Sequence, residues 1–268
     1  MRATACLLLL SLAVAGCTEA HLRGIPVEPT VRDDKLRIEG TFCTEDPNTL
    51  LFPIRVLIMV DMSESMEETD PPDPGTGLTQ RQVAVSEVIT ELLADEIGGV
   101  AIAVIRFSAE AQVLTFADED GDGAQGPEEG YFTTSRTQLI GLDGYGGVID
   151  NLGDLYTDRT SNFLNAYAVA YTTLRDEMER SDEASLPLSR YIVLFISDFL
   201  PDIESEEARE NSDERILDSV DTLNDLARLF RVGTIEGHFA YISTARADVD
   251  RRATDLARTM ATLSLIHI

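Results

Sequence analysis

The residues best suited to chemistry in this chain are an acid and two hydroxyls at alternate positions, Asp61, Ser63 and Ser65. They directly follow the largely apolar stretch 54–60, Ile-Arg-Val-Leu-Ile-Met-Val. Carboxylate and hydroxyl oxygens bind hard cations, and a set with one charge suits a Mg²⁺ ion that keeps some of its waters. The sequence therefore predicts a metal site here, with a polar turn after a strand as the alternative.

The stretch before Asp61 must place these oxygens. It is short, rich in branched side chains and bounded by Pro53 and Asp61, which favours a buried parallel strand over a helix. In an open α/β sheet, ligands bind just beyond the carboxyl ends of the strands. We therefore expect the acid and the two hydroxyls to lie at the rim of a sheet.

The rest of the chain alternates between strand and helix patterns, which predicts a Rossmann-like open, mostly parallel sheet with helices on both faces. The short connection 108–110 predicts one antiparallel edge strand. Stretch 191–196 is predicted to be the central strand, and the prolines of 67–77 predict a segment that is not helical. Strands are predicted at 100–107, 111–116, 191–196 and 238–243, and helices at 78–97, 161–180, 213–231 and 245–260.

The strand followed by Asp-x-Ser-x-Ser-Met at 61–66 resembles the metal-ion-dependent adhesion site of von Willebrand factor type A domains. Asp73-Pro74 ahead of Gly75, followed by Arg81 and Ala84, also resembles bacterial members of that family. The resemblance implies a Mg²⁺ or Mn²⁺ ion held at the strand end. It also implies a protein partner whose acidic side chain completes the coordination of the ion.

The family's site has two further parts, which the resemblance implies at separate places in this chain. Aligning Ala166 with a small residue of the family's helix puts Ser161 at a threonine ligand position, with Thr160 as the near alternative. Both could instead be helix caps. The third part is Asp198, which could also cap a helix; the family usually has Gly next, whereas this chain has Phe199.

A second acidic motif follows the expected edge strand. It matches the EF-hand calcium loop D-x-D-x-D-G-x5-E, with the oxygen ligands Asp118, Asp120, Asp122 and Glu129. The strand before it and Pro127 near its end argue against a paired EF-hand. A lone Ca²⁺ loop and a solvated acidic turn both remain open.

The N-terminus has the pattern of a targeting segment, with Met1-Arg2, an apolar stretch and then Val14-Ala15-Gly16-Cys17. The last four residues resemble the lipobox of bacterial lipoproteins, which implies lipidation of Cys17 and a location in the cell envelope, at the outer membrane. A plain signal peptide is the alternative. Only Cys43 would then remain as a thiol in the mature chain.

These features predict four parts: a lipoprotein signal peptide at 1–16, a tether at 17–50, a type A domain at 51–262 and a non-native tail at 263–268. Family members would continue with a further strand and helix, so the domain is expected to be incomplete at its C-terminus.

The charge and the motifs exclude several classes of function. A formal net charge of −27 disfavours nucleic acid as a partner. Haloacid-dehalogenase-type phosphatases need a second Asp where Ser63 stands, and neither a G-x-S-x-G elbow nor a P-loop occurs. With these classes disfavoured, the resemblance implies a non-enzymatic, cation-dependent protein-binding domain for adhesion or assembly, without a small-molecule substrate. The alternatives are a structural envelope domain with a degenerate site and, less favoured, a Mg²⁺-dependent hydrolase.

Overall fold

The structure is a computed structural model that describes residues 53–94, 99–118, 126–142, 144–153, 161–199, 206–242 and 247–263. All of these fall within the unit Leu51–Ile268. The described strands are β1 (Ile54–Asp61), β2 (Val100–Phe107), β3 (Ala111–Val113), β4 (Arg190–Ser197) and β5 (Thr234–Tyr241). The described helices are α1 (Ser65–Thr69), α2 (Gln80–Leu92), α3 (Arg136–Ile140), α4 (Val148–Asn151), α5 (Phe163–Arg180), α6 (Glu206–Phe230) and α7 (Ala247–Leu263), with 3₁₀ helices at Pro127–Glu129 and Leu186–Leu188.

The described strands form one sheet in the order β3-β2-β1-β4-β5. β1 pairs in parallel with β2 and β4, β4 pairs in parallel with β5, and β3 is antiparallel to β2. The predicted mostly parallel sheet with an antiparallel edge strand is confirmed. The prediction that 191–196 is the central strand is wrong, because β1 occupies the middle of the sheet.

Both faces of the sheet are buried, which explains why β1 is apolar at nearly every position. Leu57 and Met59 pack into the core formed with α5, α6 and α7. Val56, Ile58 and Val60 pack into a second core with α2, α3 and α4. Helices therefore cover both faces, as predicted, and the polar residues of β1, Arg55 and Asp61, lie towards its two ends.

Several element boundaries differ from those predicted. Residues 67–69 belong to α1, because the prolines that break helices come only after it. α2 begins at Gln80 rather than 78, since Thr79 and Gln82 form a reciprocal capping box. α3 and α4 have five and four residues, which is too short for helical periodicity to show. β3 ends at Val113, β5 begins at Thr234, α6 begins at Glu206 and α7 spans Ala247–Leu263.

The predicted signal peptide and tether lie outside the described residues, as does the tail apart from Leu263, and they remain predictions. Within the described part of the chain, no helix combines the length and apolar character needed to cross a membrane.

A buried ion pair fixes the loop between α1 and α2. The side-chain exposures of Arg81 and Asp70 are 1% and 0%, and Arg81 Nη1 lies 3.3 Å from Asp70 Oδ2. Asp70 also accepts hydrogen bonds from the backbone N–H groups of Gln80 and Arg81, and Arg81 Nε donates to the carbonyl of Leu152 at 3.1 Å. The pair therefore ties α1, the start of α2 and the residues after α4 together.

We expect Arg81→Met to lower the free energy of unfolding by about 3 kcal/mol, because it leaves the buried Asp70 carboxylate without its cation. Urea denaturation measures this loss. Arg175→Met, which removes an exposed i,i+4 pair with Glu179, is the control and should change stability little. Equal losses in the two variants would contradict a structural role for the buried pair.

Candidate metal site at the strand ends

Asp61 is the last residue of β1 and has no exposed surface. Its Oδ1 accepts a hydrogen bond from the backbone N–H of Ser63 at 2.9 Å. Its Oδ2 accepts one from the hydroxyl of Ser197 at 2.6 Å. The carboxylate is thus held from its own turn and from the end of the neighbouring strand β4.

The two serines of the motif lie side by side. Ser63 Oγ and Ser65 Oγ are 3.0 Å apart. Ser63 is buried, whereas Ser65, the first residue of α1, is partly exposed. The turn after β1 therefore brings the three predicted ligands together, with the hydroxyl of Ser65 nearest to solvent.

Asp198 immediately follows β4 and is fully buried. Its Oδ2 lies 3.4 Å from Thr69 Oγ1, which also donates to the backbone carbonyl of Ser65 at 3.1 Å. Asp198 thus contacts the helix that carries Ser65. Residues 200–205 lie outside the described part of the chain, so the alternative that Asp198 caps a helix stays a prediction.

The two carboxylates influence each other. Burial and, to a smaller extent, the negative charge of Asp198 together raise the pKa of Asp61 to about 6, against the opposing effect of the hydrogen bonds from Ser197 and Ser63. Burial also lowers the pKa of Arg81, against the opposing charges of Asp70, Asp61 and Asp198. The strand ends therefore hold negative charge that the surrounding groups compensate only in part, and a bound cation would stabilise it.

Ser161 is buried just before α5, and the end of β2 positions this segment. The backbone N–H of Asn162 donates to the carbonyl of Ser108 at 2.9 Å, directly after the β2 residue that pairs with Asp61. The helix cap is Asn162, whose side chain accepts from the N–H of Asn165 at 3.1 Å. Asn162, and not Ser161, is therefore the residue that caps α5. Thr160 lies outside the described residues.

Sequence reasoning did not assign a role to Ser197 or Thr69, which contact the two acids. The sequence did contain a signal for Ser197, because this hydroxyl residue ends a largely apolar strand and directly precedes Asp198. Thr69 stands four residues after Ser65, a spacing that matters only in a helix. Because α1 was not predicted, this spacing gave no signal.

The donors suit a hard divalent cation. No three His, Cys, Asp or Glu side chains cluster anywhere in the described residues. The site offers the carboxylates of Asp61 and Asp198 and the hydroxyls of Ser63 and Ser65, with Ser161 on the adjoining segment. Oxygen donors of this kind fit Mg²⁺ or Mn²⁺ better than metals that prefer thiolate or imidazole.

Only the two ends of the predicted calcium loop are described. The N–H of Ala117 donates to the carbonyl of Gly130 at 3.0 Å, which brings the chain before Asp118 beside the chain after Glu129. Glu129 ends a three-residue 3₁₀ helix rather than beginning a long exit helix. Asp120 and Asp122 lie outside the described residues, so the calcium loop stays a prediction.

The fold and these residues define a class of domain: a doubly wound α/β sheet with a strand-end site built from carboxylates and hydroxyls. The chain is similar to several solved structures, one of which carries in its name the family that the motif resembles. One is the vWF domain of the type V pili tip protein Mfa5 from Porphyromonas gingivalis, with 15% identity, a TM-score of 0.35 and coverage of 57% of this chain and 40% of that one.

Two further similar structures come from other sources. The PilB minor pilin from Streptococcus sanguinis has 13% identity and a TM-score of 0.42, covering 81% of this chain and 64% of that one. Proximal thread matrix protein 1 from the mussel byssus was solved with a zinc-occupied MIDAS motif. It has 10% identity and a TM-score of 0.39, and the match covers 79% of this chain and 48% of that one.

Among the structures named here, the chain spans 40% to 64% of the length of the solved chains that it matches. No family model and no curated protein matches it.

We expect Asp61→Asn to raise the free energy of unfolding in chelator at pH 7.5 by about 3 kcal/mol. A raised carboxyl pKa means that the folded state favours the protonated form, so ionised Asp61 destabilises the fold above about pH 6. The gain should shrink at pH 5, where the folded wild-type protein already carries the proton. Urea denaturation at both pH values measures it.

Asp73→Asn is the matched control for this change of charge. Hydrogen bonds from Thr76 and Gly75 lower the pKa of Asp73, so its ionised form is already favoured. Its replacement should therefore bring no gain. A loss of stability in Asp61→Asn at both pH values would contradict the charge repulsion inferred here.

Proposed function

We propose that this chain carries a non-enzymatic, divalent-cation-dependent protein-binding domain of the von Willebrand factor A type. The proposed metal ligands are Asp61, Ser63, Ser65, Asp198 and Ser161, with Thr160 as the alternative to Ser161. The observation that carries the proposal is the pair of fully buried acids, Asp61 and Asp198, placed beside the two adjacent hydroxyls.

Each residue would have a separate role at the ion. The N–H of Ser63 and the hydroxyl of Ser197 fix the orientation of the Asp61 carboxylate. Ser63 and Ser65 offer neutral oxygens, so only the carboxylates of Asp61 and Asp198 balance the positive charge of a bound cation. The ion, when bound, supplies an open coordination position that a carboxylate oxygen of a partner protein can fill.

Charge gives a reason for strict dependence on the cation. The chain has 48 acidic and 21 basic residues, so an acidic partner approaches an unfavourable field when no metal is bound. A divalent cation near the partly exposed Ser65 would cancel the negative charge of Asp61 and Asp198 at this one point. The partner proposed is therefore a protein that offers an Asp or Glu side chain in an accessible loop.

Binding is favoured over hydrolysis by what surrounds the hydroxyls. The described part of the chain contains a single histidine, His238 on β5, and its side chain is 57% exposed. Ser63 and Ser65 hydrogen-bond each other, and His238 lies 3.8 Å from Glu236 rather than beside either serine. This arrangement supports an ion-holding role for the serines rather than a nucleophilic one.

For the whole protein we propose a lipid-anchored adhesion or assembly factor of the bacterial outer membrane, attached through Cys17. The mass of the N-terminal peptide of the mature protein tests the anchor, because an unmodified residue 17 would rule out lipidation.

Ca²⁺ binding at the loop of Asp118, Asp120, Asp122 and Glu129 is a separate proposal. Calorimetry with the wild-type chain and Asp120→Ala tests it, and identical heats would rule out the calcium site.

We expect Asp61→Ala to abolish cation-dependent partner binding while the chain stays folded. Immobilised wild-type protein should retain at least one protein from an envelope extract of the source organism in Mg²⁺ and release it in EDTA. Asp61→Ala should retain none in either condition. Asp73→Asn, which removes an exposed acid elsewhere, should behave like the wild type.

Equal retention in Mg²⁺ and in EDTA would contradict the proposed function. A chain that binds neither Mg²⁺ nor a partner would instead support the structural envelope domain with a degenerate site.

A further inference from the structure

Phe199 has an unusual backbone conformation directly beside the site. Its φ is 52°, in the left-handed region, and among the described non-glycine residues only Arg231 shares a positive φ. A bulky side chain is strained there, so the conformation persists only where surrounding packing fixes it. Phe199 is thus held in place by its neighbours.

The neighbours that hold it are aromatic rings from three elements. Phe199 is 1% exposed. Its ring centroid lies 5.4 Å from that of Phe195 on β4, 6.2 Å from that of Phe163 at the start of α5 and 6.1 Å from that of Phe239 on β5. The ring therefore links the Asp198 corner to the first turn of α5, two residues after Ser161.

The turn at Phe199 is connected to Asp61 through Ser197. In this turn the backbone N–H of Phe199 donates a hydrogen bond to Ser197 Oγ at 2.8 Å. The hydroxyl of Ser197 donates its own proton to Asp61 Oδ2 at 2.6 Å. A continuous chain of hydrogen bonds thus runs from the Phe199 backbone through Ser197 to the carboxylate.

We propose that Phe199 is a positioning residue for the metal site: its buried ring locks a left-handed turn that aims the Ser197 hydroxyl at Asp61. Glycine would allow the same turn but would not anchor it, because it lacks the ring and samples many other conformations. The larger residue fixes the carboxylate before any ligand arrives. The consequence for metal affinity rests on the proposed function, whereas the positioning itself does not.

The amide of Ser63 reports the orientation of Asp61 in metal-free protein, because it donates to the other carboxylate oxygen, Oδ1. We expect Phe199→Gly and Ser197→Ala each to speed hydrogen exchange of the Ser63 amide by about tenfold, the effect of weakening one hydrogen bond to a charged group. Nuclear magnetic resonance of the whole chain in EDTA measures the rate.

The double variant separates positioning from general loosening. If both residues act through the same hydrogen-bond chain, Phe199→Gly combined with Ser197→Ala should exchange no faster than the faster single variant. Tyr167→Leu is the matched control, because it removes a ring that stacks on Phe195 at 5.6 Å and is not among the rings packed against Phe199. It should lower stability and leave the exchange of the Ser63 amide unchanged.

If Phe199→Gly does not fold, Phe199→Leu is measured in its place, because leucine keeps an apolar side chain in the aromatic cluster. An unchanged Ser63 rate in the folded Phe199 variant, or fully additive effects in the double variant, would overturn the proposal.

Metal affinity provides the second readout and separates the two proposals. If the chain binds Mg²⁺, Ser197→Ala and Phe199→Gly should each weaken that binding about tenfold or more in calorimetry, as expected for groups that orient a metal ligand. If the wild-type chain binds no Mg²⁺, the metal part of the proposed function fails, and the exchange rates in EDTA still decide the role of Phe199. Mg²⁺ binding with unchanged exchange rates would overturn the positioning role alone.

Discussion

The repulsion between two buried carboxylates governs the strand ends of this domain. Asp61 and Asp198 end adjacent strands of a sheet that is apolar on both faces, and neither has exposed surface. Removing their charges from water is unfavourable, and their mutual repulsion raises the pKa of Asp61 further. The arrangement costs free energy in the absence of a cation, which is typical of a site built for a ligand rather than for stability.

The rest of the structure holds this unfavourable arrangement in place. Parallel pairing of β1 with β2 and β4 brings their carboxyl ends to one edge, and two apolar cores fix the sheet from both sides. The Arg81–Asp70 pair anchors the chain after α1. Hydrogen bonds from Ser197, Ser63 and Thr69 then orient the acids without neutralising them. The stability of the rest of the fold thus maintains an unfavourable arrangement of buried charges at the site.

Much of the fold could be predicted from the sequence, because the strands have long apolar runs and the main helices have clear periodicity. The turn after Asp61 was also predictable, since its ligands are adjacent in the chain. Ser197 and Thr69 were missed because their roles depend on contacts between residues more than a hundred positions apart. Phe199 looked like a defect in the family pattern, and only the aromatic cluster around it shows how the turn is held.

We propose that the acids and hydroxyls at the ends of β1 and β4 bind one hard divalent cation. Anomalous diffraction from crystals of the chain soaked in Mn²⁺ tests this binding. We expect a single strong anomalous peak beside the hydroxyls of Ser63 and Ser65, with Asp61 and Asp198 in its coordination sphere, and no such peak in Asp61→Ala. Soaked wild-type crystals with no peak at these residues would contradict it.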